Sequence, residues 1–168
     1  VAKLLDLSKE QIVQAFGSAG TQAAGLWEFI EDGAMSKQLH PGKAAMNGIL
    51  SALLAQQGFT GATAILEGRR GFFEAMSDDY DVTRMTEKLG KQYKITENAF
   101  KVHASCRHTH AAMDLALELH KKVEKNGSDF IKSVEVGAYQ VALDITDAKS
   151  PQTIYAAKFS LQFCVALA

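Results

Sequence analysis

Two lysines and a histidine, with no acidic residue among them, lie in the segment Ser36-Lys37-Gln38-Leu39-His40-Pro41-Gly42-Lys43-Ala44-Ala45. The Pro-Gly pair predicts a turn, and the small residues after it predict a closely packed helix over about residues 43–57. The cationic side chains should then lie near a helix N-terminus, where backbone N–H groups and the helix dipole already favour an anion. The segment therefore predicts a site for a negatively charged small molecule.

The composition limits the class of protein. The chain has 168 residues, 47% of them hydrophobic, and a net charge of −1, which gives no general attraction to nucleic acid or to an acidic membrane. No apolar run approaches the roughly 18 to 20 residues that span a bilayer. The two cysteines lack the spacing of a metal ribbon and are too few to hold a four-iron cluster. We therefore expect a cytoplasmic protein without a four-iron cluster and without a nucleic-acid or membrane partner.

Most of the remaining chain has helical periodicity. Ser8 and Gln11 form a capping-box signature before a helix whose second half, residues 17–25, consists of small residues. Close helix packing is the favoured explanation of these small residues, and a backbone that lines a ligand pocket is the alternative. A further helix is predicted from about residue 108 to 125, ending at Asn126-Gly127, and another after Pro151.

Two strands interrupt this helical pattern. One is predicted over residues 99–103, and a clearer one over residues 131–143, where Val134, Val136 and Ala138 alternate with other residues. Helices followed by strand, helix and strand predict a mostly α fold, an all-helical domain carrying a smaller α+β lid domain. We assign residues 1–76 and 151–168 to the helical domain and residues 77–150 to the lid. Because the chain begins at Val1 and stops inside an apolar run, we interpret it as a fragment of a longer chain.

A second cationic window without acidic residues is Lys101-Val102-His103-Ala104-Ser105-Cys106-Arg107-His108-Thr109-His110, and it also runs into a predicted helix N-terminus. If the fold brings the two windows together, charge-assisted hydrogen bonds would orient a small di- or tricarboxylate between them. The residues that would line this pocket are Lys37, His40, Lys101, Arg107 and His110.

Three other interpretations of the second window stay open. A zinc site could be formed by His103, Cys106, His108 and His110, although their spacing is not a standard one. Cys106 could be a nucleophile, because neighbouring cations and a helix N-terminus favour its thiolate. The histidines could also be structural, capping a helix or facing solvent.

The sequence resembles the MmgE/PrpD family in five motifs that follow the family's order over nearly the whole chain. These are Ala24-Gly25-Leu26-Trp27-Glu28-Phe29, the segment Ser36–Ala45, Ala55-Gln56-Gln57-Gly58-Phe59-Thr60-Gly61, Phe100-Lys101 with Ser105–His110 and Asp114, and Ala157-Lys158-Phe159-Ser160-Leu161-Gln162-Phe163. The resemblance implies a helical domain with an α+β lid, an active site between them without metal, and a homodimer.

The resemblance also implies an activity, that of a cofactor-independent lyase of the 2-methylcitrate dehydratase type; an epimerase acting on iminodisuccinate and a decarboxylase acting on cis-aconitate are alternatives. By this resemblance, Lys37 and Lys101 correspond to the family's active-site lysines, and Cys106 and His110 fall where the family places residues that line the same pocket. Where cis-aconitate decarboxylase has a histidine, this sequence has Cys106, which argues against decarboxylation. The N-terminal helical region of the family has no counterpart here, so a non-catalytic carboxylate-binding fragment is a further alternative.

Overall fold

The computed structural model describes residues 1–123 and 131–168. Eight α-helices lie in these ranges: α1 (Lys9–Gly20), α2 (Phe29–Asp32), α3 (Leu39–Gln56), α4 (Phe72–Met76), α5 (His110–Val123), α6 (Gln140–Thr146), α7 (Ile154–Ala157) and α8 (Leu161–Leu167). Short 3-10 turns cover Met35–Gln38, Val82–Met85, Lys94–Glu97 and Arg107–Thr109. Within the described ranges, no helix is both long and apolar enough to cross a bilayer.

The chain divides into two compact units. The first contains Val1–Leu26 and Lys37–Asn98, and the second contains Trp27–Ser36 and Ala99–Ala168. The domain boundaries that we predicted at residues 76 and 150 stay predictions.

In the first unit, α1 packs against α3, with Ala15, Ala52 and Ala55 buried between them. The predicted capping box is confirmed: the Gln11 backbone N–H donates to the Ser8 hydroxyl oxygen at 3.2 Å, and the Ser8 N–H donates to Gln11 Oε1 at 3.0 Å. These two bonds satisfy N–H groups that have no partner within the helix. The capping-box signature of Ser8 and Gln11 therefore predicted the start of α1 correctly.

The turn predicted at the Pro-Gly pair is wrong, because α3 begins at Leu39 and contains both residues. Pro41 lies in the first helical turn, where a missing N–H removes no intrahelical hydrogen bond. Gly42 faces open space and is tolerated there. The long helix after the cationic segment is confirmed, but it starts before this segment ends.

The small residues of α1 allow a close contact with a loop. A Cβ atom on Gly17 would lie 2.4 Å from the backbone nitrogen of Ala62, and one on Gly61 would lie 2.4 Å from the carbonyl oxygen of Gln14. The Gln14 side chain also accepts a hydrogen bond from the Gly61 N–H at 2.8 Å. The prediction of close packing is therefore confirmed for Gly17, although its neighbour is loop backbone.

The predicted α+β lid domain is wrong, because residues 1–123 and 131–168 contain no strand and no sheet. Residues 131–139 have no regular structure, and residues 140–143, the end of the predicted strand, belong to α6, where Ala142 and Thr146 are buried at helical spacing. Residues 99–103 are also irregular. The physical reason is that an alternating pattern becomes a strand only where a neighbouring strand offers backbone partners, and the described part of the chain provides none.

In the second unit, α5, α8 and the turn Arg107–Thr109 pack together, and α6 packs on the same turn. Met113, Ala142, Leu161 and Cys164 are buried. Helix α8 is capped by Ser160, whose hydroxyl accepts from the Phe163 N–H at 3.0 Å. The predicted helix over residues 108–125 is α5, and its predicted end at Asn126-Gly127 lies outside the described residues.

A pair of glycine substitutions tests the packing of α1. Gly17→Ala should lower the free energy of unfolding by about 1–3 kcal/mol, because the added methyl group meets rigid backbone. Gly48→Ala in α3 is the matched control: its Cβ would meet no atom within 4 Å, so it should raise stability by about 0.5–1 kcal/mol. Urea unfolding of the two variants measures both changes, and equal effects would contradict the contact.

Candidate active site

A buried threonine organises the second cationic window. The side chain of Thr109 has no exposed surface, and its hydroxyl donates to the carbonyl oxygen of Cys106 at 2.8 Å. The Ser105 hydroxyl lies 2.8 Å from the same Thr109 oxygen. The backbone N–H of Cys106 donates to the carbonyl oxygen of Lys158 at 2.7 Å. These bonds fix the path of the irregular backbone that leads into α5.

Two predicted site residues meet at one carbonyl group in this window. Lys101 Nζ lies 3.3 Å from the carbonyl oxygen of Ser105, and His110 Nε2 lies 3.4 Å from the same oxygen. Because a carbonyl oxygen only accepts, both nitrogens act as donors. The structure therefore brings an ammonium group and an imidazole together.

The imidazole of His110 is buried, with 5% of the residue exposed. Its second nitrogen, Nδ1, has no hydrogen-bond partner among the residues that the structure describes. Buried polar atoms are normally hydrogen-bonded, so an exception calls for an explanation such as a water or a ligand. The Nδ1 atom of His110 therefore calls for a partner that the described residues do not provide.

A further imidazole lies against His110. The ring centroids of His103 and His110 are 5.0 Å apart with an interplanar angle of 78°, and His103 Nε2 lies 2.7 Å from Asp114 Oδ1. From the sequence, His103 was expected to be a zinc ligand or a structural histidine, and Asp114 was part of a family motif without an assigned role. The available signal was the spacing of His110 and Asp114, four residues apart, which places both on one face of α5.

Arg107 and His108, also in this window, form hydrogen bonds with residues outside it. The Arg107 guanidinium donates to the carbonyl oxygen of Phe100 at 3.2 Å, and its side chain is exposed. His108 Nδ1 forms a hydrogen bond with the Tyr139 hydroxyl. Cys106 is a half-buried free thiol. Because His103 and His108 have different partners, the four zinc candidates are divided, and no metal-holding group of three His, Cys, Asp or Glu residues occurs in ranges 1–123 and 131–168.

The first cationic window, from Lys37 onward, lies in the other compact unit, at the N-terminus of α3. Lys37 immediately precedes the N-cap residue Gln38, and His40 is the second residue of the helix. The prediction that these cations lie near a helix N-terminus is confirmed. The His40 ring packs against the backbone of Gly25, whose φ of +148° is a conformation that other residues rarely adopt; a Cβ there would lie 3.3 Å from His40 Nδ1. That both windows line one pocket stays a prediction.

Removing the Thr109 hydroxyl tests the organisation of the second window. Thr109→Val keeps the shape of the side chain but removes the hydroxyl that donates to the Cys106 carbonyl and contacts the Ser105 hydroxyl. The Thr109 backbone N–H still donates to that carbonyl at 3.0 Å, so the change should cost about 0.5–1.5 kcal/mol of unfolding free energy. Thr63→Val, at an exposed position, should change stability by less than about 0.5 kcal/mol. Thermal unfolding of both variants measures the difference, and a fully stable Thr109→Val chain would contradict the assigned role.

Comparison with known proteins identifies the class to which this fold and these residues belong. Residues 1–85 match the MmgE/PrpD N-terminal domain, and residues 103–168 match the MmgE/PrpD C-terminal domain. The chain belongs to the MmgE/PrpD family, and the resemblance drawn from its motifs is confirmed.

The similar proteins are named as enzymes. The chain is 33% identical to a cis-aconitate decarboxylase-like protein, oryM, of Aspergillus oryzae, over 76% of this chain and 27% of that protein. It is 30% identical to a cis-aconitate decarboxylase of Aspergillus terreus, over 71% of this chain and 26% of that protein. It is 27% identical to a mitochondrial 2-methylcitrate dehydratase of Yarrowia lipolytica, over 99% of this chain and 33% of that protein. The chain thus spans about a quarter to a third of the length of these relatives.

Proposed function

We propose that this chain, within its full-length protein, acts in a cofactor-independent lyase of the 2-methylcitrate dehydratase type whose substrate is a small di- or tricarboxylate. The observation that carries this proposal is the convergence of Lys101 Nζ and His110 Nε2 on the Ser105 carbonyl oxygen. A fixed cation beside an imidazole is what proton removal next to a carboxylate requires. The names of the relatives support a lyase, since dehydration and decarboxylation are both lyase reactions.

Dehydration of a hydroxy acid proceeds in three connected changes. A base takes the proton from the carbon next to a carboxylate, and the electron pair of the C–H bond spreads onto the carboxylate oxygens. That charge returns to form a carbon–carbon double bond, and the C–O bond on the neighbouring carbon breaks. The leaving hydroxide takes a proton and departs as water. The reaction therefore needs a cationic group at the carboxylate and a group that transfers protons.

The residues of the two windows fit these needs. Lys37 and Lys101 bind the substrate carboxylates and stabilise the charge that develops on them; a well-placed donor contributes about 2.7–4 kcal/mol to such a barrier. His110 or His40 transfers the proton, because an imidazole changes its charge near neutral pH. Cys106 and Arg107 contact the substrate.

Decarboxylation is the second candidate, and the names of the relatives that are cis-aconitate decarboxylases or similar to one favour it. The same cationic groups would stabilise the carbanion that remains after loss of carbon dioxide. The cysteine at position 106 argues against decarboxylation, because the resemblance places a histidine there in cis-aconitate decarboxylase. Epimerisation of iminodisuccinate is a third candidate, and a carboxylate-binding module without activity is the alternative outside enzymes. The homodimer and the cytoplasmic location remain proposals.

A panel of three acids separates these candidates. The full-length protein should release water from 2-methylcitrate faster than it decarboxylates cis-aconitate or epimerises iminodisuccinate, because the proposed dehydratase site is matched to the hydroxy acid. Chromatography of the products measures all three rates. Binding of the acids without any turnover would favour the non-catalytic module.

Lysine substitutions test the assigned roles. Lys37→Ala and Lys101→Ala should each lower turnover by about 100- to 1,000-fold, because each removes one donor from the developing charge. Lys121→Ala, on the exposed last turn of α5, is the matched control and should leave turnover unchanged. Steady-state rates on the preferred acid give the comparison. A Lys101→Ala enzyme as active as the control would overturn the assignment.

A further inference from the structure

We propose that His103 is a proton-transferring residue of this site and that Asp114 is the positioning residue that holds it. The inference rests on the proposed function and adds a residue pair to which that function gave no role. It is carried by the bond of 2.7 Å between His103 Nε2 and Asp114 Oδ1 and by the contact of the two imidazole rings.

The bond to Asp114 fixes which nitrogen of His103 exchanges protons. A carboxylate oxygen can only accept, so Nε2 of His103 carries a hydrogen in this pair. The other nitrogen, Nδ1, can then take up or release a proton while the bond to Asp114 stays in place. A carboxylate that fixes the tautomer and orientation of an imidazole in this way is a recurring device in enzymes that transfer protons.

The position of the ring suits a role in chemistry better than a role in stability. The His103 side chain is 17% exposed, so part of it meets solvent, whereas the Asp114 side chain is 59% exposed. Pairs with an exposed partner are screened by water and contribute little to folding. The bond to Asp114 therefore matters more for the orientation of the His103 imidazole than for the stability of the fold.

The neighbouring groups complete an acid–base cluster. His103 packs edge-to-face on His110, and His110 shares the Ser105 carbonyl oxygen with Lys101 Nζ. Dehydration needs one proton removed from carbon and one delivered to the leaving hydroxide. Two imidazoles, each with one nitrogen held by an acceptor, can serve these two transfers, with His110 in one role and His103 in the other.

A double-mutant cycle on the full-length protein tests the inference. His103→Gln should lower kcat for water loss from 2-methylcitrate by about 100- to 10,000-fold with little change in KM, because proton transfer is lost and carboxylate binding is kept. Asp114→Asn should lower kcat by about 10- to 100-fold. If Asp114 acts through His103, adding Asp114→Asn to His103→Gln should cause no further loss of kcat. His120→Gln, at an exposed position on α5, is the control and should match the wild type.

The possible results separate this inference from the proposed function. Thermal unfolding of each variant establishes that kcat is compared between folded enzymes. A wild-type protein that turns over none of the three acids overturns the proposed function, and this inference with it. An active wild type together with a His103→Gln variant that keeps its kcat overturns the inference alone. Losses that multiply in the double variant overturn the positioning role of Asp114.

Discussion

The geometry of the second cationic window depends on one buried hydroxyl group. Thr109 has no exposed surface, and its hydroxyl bridges the carbonyl of Cys106 and the hydroxyl of Ser105. The Thr109 backbone N–H donates to the same Cys106 carbonyl at 3.0 Å, so backbone and side chain of one buried residue together favour one path of the backbone. The Ser105 carbonyl, on which Lys101 and His110 converge, lies in that same stretch. The hydrogen bonds of this uncharged, buried side chain thus determine where Lys101 and His110 lie.

The hydrogen bond from Cys106 to Lys158 extends this constraint to a distant part of the chain. Lys158 precedes the cap of α8, and α8 packs on α5 and on the turn Arg107–Thr109. The window is therefore held from both sides within its unit. This supports a site with fixed donors, which stabilise developing charge without having to reorganise during a reaction.

Local signals in the sequence predicted the helical features well. The capping box at Ser8 and Gln11 depends on neighbouring residues alone, and the position of Lys37 and His40 at a helix N-terminus follows from the apolar period that begins after them. The predicted start of α3 was less accurate, because Pro41 is compatible with a first helical turn as well as with a turn outside the helix. The residues around Pro41 do not decide between these two conformations, which depend on what packs against the segment.

Features that depend on distant partners were predicted poorly. The alternation of Val134, Val136 and Ala138 predicted a strand, but strand formation requires a second segment, and alternation carries no information about whether one is present. The pairing of His103 with Asp114 was missed for a related reason. The irregular backbone between His103 and α5 determines where the imidazole lies, and no period in the sequence encodes that path.

The contact between α1 and α3 combines small apolar side chains with a few amides and hydroxyls. Asn47 Nδ2 donates to the carbonyl oxygen of Gln22 at 3.4 Å, Gln22 Nε2 donates to the hydroxyl of Ser51 at 3.3 Å, and that hydroxyl donates to the Asn47 carbonyl oxygen at 2.7 Å. Smooth alanine and glycine surfaces would permit several alignments of the two helices. The last of these bonds lies within α3. The two bonds to Gln22, which follows the end of α1, would break if one helix slid by a turn, at a cost of about 1–3 kcal/mol for each donor left unpaired. The polar groups therefore select a single register for the helix pair.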